Sequence, residues 1–115
     1  MGELRVRKIQ EFIKQEVSSI ILRDLKDPRL GFVTITDAKI TGDLREATVY
    51  VSLFGSDEQK KGTMEALRSA NGYIRSEVGK RLQIRYAPQI EFKEDTSLDY
   101  GIKIDKILKD IEKKD

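Results

Sequence analysis

The chain has 115 residues and a formal net charge of +2, and 37% of its residues are charged, against an average of about 25%. It has no cysteine and no histidine, which excludes disulfides, thiolate zinc sites and the commonest general base. No apolar run approaches the roughly 18 residues of a membrane span. We therefore expect one cytoplasmic, cofactor-free domain over residues 1–115, with the last few residues frayed.

Hydrophobic periodicity predicts an α-β-β-α-α-β-α order of elements. In chain order these are a helix at 5–25, strands at 32–40 and 46–54, a helix at 57–70, a second helix from the Asn71-Gly72 break to about 82, a strand at 89–94, and a final helix capped by Thr96 or Ser97, with Ile104, Ile107, Leu108 and Ile111 as its apolar side.

Local signals set the ends and the irregularity of these elements. Pro28 ends the first helix, because proline disfavours helical geometry at the residue before it. The apolar alternation of the first strand slips near Thr36-Asp37, which predicts a β-bulge. Ser56 precedes an acidic first turn and is the expected N-cap of the next helix.

The strand at 46–54 shows the clearest alternation in the chain, and its two faces differ. The face expected to meet the helices carries Ala47, Val49, Val51 and Leu53. The face expected to be open to solvent carries Thr48, Tyr50 and Ser52. The first two strands should pair as an antiparallel hairpin, and the helical crossover should return the third strand parallel to the second. These features predict an α+β domain with a three-stranded mixed sheet and helices on one face.

The segment 60–85 is strongly basic, with seven basic residues against two acidic ones. At its centre lies Ser69-Ala70-Asn71-Gly72. Since Asn and Gly tolerate left-handed backbone, we expect a left-handed turn that ends one helix and starts the next. Free N–H groups at the new helix start, together with cations gathered on a single flank, would suit a phosphate chain. The alternative is an ordinary helix corner with a solvated charged face.

This order of elements resembles the type II KH domain, which binds single-stranded nucleic acid through a Gly-x-x-Gly loop between its two central helices. The chain contains no Gly-x-x-Gly and has Ala70-Asn71-Gly72 instead. That Ala-x-Gly kink is similar to the one in the bacterial ribosome-binding factor A family. Further segments that resemble this family are Lys26-Asp27-Pro28-Arg29, Val33-Thr34-Ile35-Thr36, Asp43 to Ser52, Ile74-Arg75, Pro88 to Phe92, and Asp95.

The resemblance spans roughly residues 5 to 111 and implies a function. It implies a non-enzymatic, monomeric factor that binds the immature 30S subunit through 16S rRNA near its 5′ region. It also implies a role in rRNA processing and late assembly, importance in the cold, and release aided by a ribosome-associated GTPase. The expected RNA-binding residues are Arg5, Arg7, Lys8, Lys60, Lys61, Arg68, Ser69, Ala70, Asn71, Gly72, Tyr73, Arg75, Lys80, Arg81 and Arg85.

Several of these positions have a second interpretation. Glu3 and Glu11 can neutralise the N-terminal cations, whose position at a helix start opposes the helix dipole. Tyr73, beside the kink, can stack on a base or pack within the domain. Arg29 belongs to a turn that Asp27 can stabilise by bonding backbone N–H groups, and it can also reach RNA or Asp43.

Two other functional classes remain open from the sequence. A protein-interaction module would use the outer face of the sheet, formed by Thr34, Thr48, Tyr50 and Ser52. An accessory rRNA nuclease would need a magnesium site built from Glu91, Glu94, Asp95 and Asp99. Strand alternation separates Glu91 from Glu94, and the spacing positions no basic or nucleophilic partner, so the residues disfavour the nuclease.

Overall fold

The computed structural model describes residues 2–83 and 87–96, and the observed order of elements there agrees with the prediction. The elements are α1 (Glu3–Arg23), β1 (Val33–Ile40), β2 (Glu46–Leu53), α2 (Asp57–Ser69), α3 (Asn71–Leu82) and β3 (Gln89–Glu94). The predicted boundaries hold to within two residues for most of them. The final helix predicted after Thr96 or Ser97 lies outside the described residues.

The sheet has the order β1-β2-β3, so β2 is central and β1 and β3 are the two edges. β1 pairs with β2 antiparallel, and β2 pairs with β3 parallel. The register shifts between Ile35 and Asp37, which confirms the predicted bulge. The three-stranded mixed sheet predicted from the sequence is therefore present.

The core lies between the helices and one face of this sheet. Val49 and Val51 of β2 are fully buried, as are Ile13 of α1, Leu67 of α2 and Ile74 of α3. α1 packs on β1 and on α3, whereas α2 and α3 pack against β3. Each helix thus contributes its apolar stripe to a single core, as the periodicity predicted.

The opposite face of the sheet is less open than the sequence suggested. Ser52 is only 5% exposed, and Thr48 and Tyr50 are half-buried. The Thr36 hydroxyl donates to Asp95 Oδ2 over 2.7 Å, which ties the end of β3 to the bulge of β1. The expectation of a solvent-open outer face is therefore wrong for Ser52.

The junction between α2 and α3 differs from the expected left-handed turn. Ala70 alone separates the two helices, with φ −87° and ψ 0°. Among the described residues, left-handed backbone outside glycine occurs only at Leu44 and Gln83, and the glycine with positive φ is Gly55. Asn71 is instead the first residue of α3, because the bridge-region conformation of Ala70 suffices to redirect the chain.

Burial predicts a sharp contrast between two leucines. Leu67 is fully buried, so Leu67→Ala should lower the free energy of unfolding by about 2–5 kcal/mol. Leu22 on α1 is 83% exposed, so Leu22→Ala should change it by less than about 0.5 kcal/mol. Urea unfolding followed by circular dichroism measures both. A similar loss for the two variants would contradict the packing described above.

Candidate nucleic-acid interface

The α2–α3 elbow is held in place from two sides. Asn71 Nδ2 donates to the backbone carbonyl of Ile90 over 2.6 Å and so joins the start of α3 to β3. On the other side, the Tyr73 hydroxyl donates to Asp24 Oδ2 over 2.8 Å, at the end of α1. This hydrogen bond raises the pKa of Tyr73, because the phenol serves as a donor to a carboxylate. The elbow is therefore fixed relative to both the sheet and α1.

Arg29 braces the elbow from the turn that follows α1. Its guanidinium donates to Asp27 Oδ2 over 2.6 Å and to the Ser69 hydroxyl over 3.1 Å, and it lies 3.9 Å from a Glu65 oxygen. The Arg29 backbone N–H also donates to Asp27 Oδ1 over 2.9 Å, the local bond expected for this turn. Together the Arg29 hydrogen bonds hold the pKa of Asp27 at about 2, below its usual 3.8.

The basic side chains of α3 are engaged within the domain. Arg75 donates to the carbonyl of Ala87 over 3.2 Å, and its Nε is buried without a hydrogen-bond partner in the described part of the chain. Arg81 pairs with Glu16 of α1, which raises the pKa of Arg81. Lys80 lies 3.4 Å from Glu77 Oε1. Arg75 therefore points towards the entry to β3, whereas Lys80 and Arg81 both approach Glu77, whose carboxylate partly neutralises their charge.

The basic side chains of α2 are more available. Lys61 and Arg68 are exposed, and neither forms an ion pair within residues 2–83 and 87–96. Together with Lys60 they line a groove of about 520 Å³ between α2 and β3, to which β3 contributes Lys93. Glu91 and Glu94 of β3 and Asp57 of α2 also line this groove, and three of its four cations come from α2.

The N-terminal cations form a separate group. Arg7 lies 3.2 Å from Glu3, whereas Arg5 and Lys8 are exposed and have no ion pair in the described part of the molecule. From Arg7 to Arg23, α1 extends for about 24 Å at roughly 1.5 Å per residue, and the hydrogen bond from Tyr73 of the elbow reaches Asp24, at the far end of this helix. The fold therefore does not bring this group to the kink.

The expected gathering of charge on a single flank is wrong for the described residues. Arg75 faces the entry to β3 while Arg81 faces α1, because a helix of 3.6 residues per turn cannot place both on one side. Arg85 lies outside the described residues. Ser69, Asn71 and Tyr73 do surround the elbow, but each already has a hydrogen-bond partner in the domain.

Arg29 is the residue near the elbow that sequence reasoning underestimated. The sequence allowed it to reach Asp43, but Asp43 instead accepts from the Thr41 hydroxyl and the Arg45 backbone N–H, which lowers the pKa of Asp43. No local signal links Arg29 to Ser69, since forty residues separate them.

The acidic residues considered for a magnesium site do not converge. Within the described residues no three carboxylates are close enough together to hold a metal ion. Asp95 accepts a hydrogen bond from Thr36 on the outer sheet face, while Glu91 lines the groove beside α2. Asp99 lies outside the described residues.

No helix in the described part of the chain is long and apolar enough to cross a membrane.

The fold and the elbow define a KH-like domain of the type II order, with an Ala-x-Gly kink in place of the Gly-x-x-Gly loop. Residues 5–108 match the family model described as Ribosome-binding factor A. The chain is 48% identical over 111 residues to Ribosome-binding factor A of Brevibacillus brevis, covering 96% of this chain and 92% of that protein. Its counterpart in Halothermothrix orenii is 44% identical, over 100% of this chain and 94% of that one. The chain belongs to the ribosome-binding factor A family.

Solved structures agree with this assignment. The crystal structure of ribosome-binding factor A from Thermus thermophilus has a TM-score of 0.68 and 25% identity, over 77% of this chain and 94% of that chain. A homology model of the Thermus thermophilus protein, fitted into the cryo-EM map of a 30S-RbfA complex, has a TM-score of 0.58 and 23% identity, over 79% and 91% of the two chains. At that identity the second comparison supports the fold alone.

The Arg29–Asp27 contact generates a pH prediction. Because the folded pKa of Asp27 is depressed, the stability that it contributes is fully present above pH 3.8 and is lost as pH falls through about 2. Carbon-detected NMR titration of the Asp27 carboxyl should therefore give a midpoint near 2. In Arg29→Ala the midpoint should rise towards 3.8, although the backbone N–H of residue 29 continues to lower it.

Asp27→Asn provides the matched control for this titration. The wild type loses stability as the pH falls from 3.8 towards 2, and Asp27 causes part of that loss. Asp27→Asn should lack that part, as measured by urea unfolding at each pH. An Asp27 midpoint unchanged by Arg29→Ala would show that Arg29 does not hold this carboxylate in solution.

Proposed function

We propose that this protein binds the immature 30S ribosomal subunit through 16S rRNA and assists rRNA processing and late subunit assembly. The observation that carries the proposal is family membership over nearly the whole chain, combined with two exposed cations of α2, Lys61 and Arg68, that have no ion pair among the described residues. The Thermus thermophilus relative, with the same fold, has been placed in the map of a 30S-RbfA complex. The 30S subunit is therefore the partner that we expect for this chain as well.

The exposed cations of α2 provide the principal phosphate contacts in this proposal. Lys61 and Arg68 are three and four residues from Met64, so they lie on one side of α2 along the groove that borders β3. A cation without a carboxylate partner releases more counterions from RNA than one already neutralised. Lys61 and Arg68 should therefore contribute more affinity than Lys80 and Arg81, which pair with carboxylates. They should also contribute more than Arg75, which is half-buried and bonded to the Ala87 carbonyl. These three residues of α3, Lys60 and the elbow residues are further contacts in the proposal.

The N-terminal group makes a second contact. Arg5, Arg7 and Lys8 lie at the opposite end of α1 from the elbow, about 24 Å away by helix length. A folded rRNA can present phosphates at both places at once, whereas a single strand would have to run the length of α1 to reach both. The spacing of the two groups thus favours structured rRNA as the partner.

The mechanism is occupancy rather than catalysis. The protein, as a single monomeric domain in the cytoplasm, would hold rRNA in an assembly-competent arrangement and block premature use of the subunit. Transient binding, release aided by a ribosome-associated GTPase, and importance in the cold complete the proposal. Sedimentation with free 30S subunits and with assembled ribosomes tests it: binding to free subunits alone is expected, and equal binding to both would argue against a maturation factor.

Salt dependence tests which cations contact phosphates. The double variant Lys61→Ala/Arg68→Ala should weaken binding to 30S subunits and flatten the slope of log K against log salt by roughly 0.7–0.9 per lost contact. Sedimentation or filter binding at several salt concentrations measures the slope. The charge-matched control is Lys39→Ala/Arg45→Ala, which removes exposed cations from β1 and the hairpin turn. An equal loss in the control would mean that net charge matters and the α2 surface does not.

A further inference from the structure

The two halves of the β1 edge of the sheet differ in whether their outward backbone N–H groups are hydrogen-bonded to side chains. Phe54 N–H donates to the Phe32 carbonyl, and Thr41 N–H donates to the Glu46 carbonyl. Since hydrogen-bonded and non-hydrogen-bonded pairs alternate in an antiparallel ladder, these two bonds fix which residues point away from β2. On either side of the bulge, the outward-pointing backbone groups belong to Val33, Ile35, Ala38 and Ile40.

In the half of β1 after the bulge, the outward N–H groups are capped. The Ala38 N–H donates to Asp37 Oδ1 over 2.8 Å, and the Ile40 N–H donates to Gln10 Oε1 over 2.9 Å. Side chains that cover a strand edge in this way prevent pairing with another chain. This half of the edge is closed.

In the half before the bulge, the outward N–H groups are uncapped. Within the described part of the chain, neither Val33 nor Ile35 donates its N–H to any side chain, and the ladder alternation turns both away from β2. An unpaired row of backbone donors and acceptors at an exposed edge is a template for a further strand. This half of the edge is open.

The open half borders an apolar groove. Ile21 and Leu22 of α1 and Leu25 of the following turn form one wall, and Val33 and Ile35 of β1 form the other, around a cavity of about 470 Å³. None of the described residues that line this groove is charged. Leu22 is 83% exposed and Phe32 is 72% exposed at its mouth, although the Phe32 ring packs edge-to-face on the ring of Phe54, with the centroids 5.3 Å apart.

We propose that this groove binds an extended peptide segment of a protein partner, which adds as a fourth strand along Val33–Ile35 and inserts alternate apolar side chains between α1 and β1. The absence of charge among the described lining residues disfavours RNA, whose phosphates need cations. The strand spacing fits, because residues at i and i+2 of an extended peptide point to the same side.

Charge selects one end of the bound segment. Lys14 lies one helical turn before Ser18, which lines the groove, and one turn after Gln10, which reaches Ile40. It therefore lies on the β1 side of α1, and it has no ion pair within the described residues. An acidic residue at the matching end of the peptide complements Lys14.

Selection from a random heptapeptide library displayed on phage, with the full chain as bait, tests the proposal. The enriched sequences should alternate apolar residues and carry an acidic residue near one end. Synthetic peptides of those sequences are then titrated by fluorescence anisotropy against the wild type and the variants. The absence of any enriched motif would overturn the proposal.

Val33→Pro removes one outward N–H, and proline is tolerated because Val33 is the first residue of an edge strand. The loss of one hydrogen bond should weaken peptide binding between roughly two- and tenfold. Val33→Ala keeps the N–H and should retain more affinity than Val33→Pro. Leu22→Ser tests the helix wall independently and leaves the core intact, since Leu22 is exposed.

Each other occupant gives a distinct result. Concentration-dependent self-association of the wild type, abolished by Leu22→Ser, would show that a second copy covers the edge. Binding of a uridine-rich oligonucleotide that is lost in Phe32→Ala would show that the mouth stacks bases. Peptide affinity unchanged by both Val33→Pro and Leu22→Ser would place the peptide elsewhere. Any of these three results overturns the proposal.

Discussion

The hydrogen bond from Asn71 to the Ile90 carbonyl is the constraint on which the arrangement of the functional surface depends. It joins the first residue of α3 to the edge strand β3, and Ala70 alone separates α3 from α2. The position of α2 relative to the sheet therefore depends on this side-chain contact and on one bridge-region residue, in addition to the direct packing of α2 against β3. Since α2 carries the exposed cations Lys61 and Arg68, the same contact sets where positive charge lies beside β3. Asn71 thus has a structural role that explains why a side chain occupies a position where a Gly-x-x-Gly loop would have none.

Most of the fold could be predicted because its determinants are local. The periodicity of α1, the alternation of β2 and the slip at Thr36-Asp37 each depend on neighbours a few residues apart, and the bulge and the parallel return of β3 were both found. The elbow was placed correctly, but its conformation was not. Asn and Gly permit left-handed backbone without requiring it, and here Asn71 uses its side chain at long range instead.

The candidate site was less predictable, because the number of charged residues in a segment does not show which of their side chains are free on the surface of the fold. Counting residues in 60–85 gives a strongly basic segment, yet the fold supplies Glu16 from α1 to Arg81 and the Ala87 carbonyl to Arg75. These partners are distant in the sequence or follow an irregular connection, so spacing alone cannot reveal them. Arg29 shows the converse: a residue in a turn forty positions away reaches Ser69 and braces the elbow. Helical spacing could show that Arg75 and Arg81 diverge, but not what each one contacts.

The two edges of the sheet have opposite chemistry, and this division has a functional consequence. The β3 edge borders the cationic groove beneath α2, whereas the open half of the β1 edge borders an uncharged groove beside α1. Three strands at about 4.8 Å spacing separate the two edges by only about 10 Å, yet β2 is paired on both sides, so no backbone group of the central strand is available to either ligand. A polyanion at one edge and a peptide at the other would therefore not compete for the same hydrogen bonds. The capped half of β1 limits pairing to the segment where apolar walls also exist, and a bound strand would then be selected by its side chains as well as by its backbone.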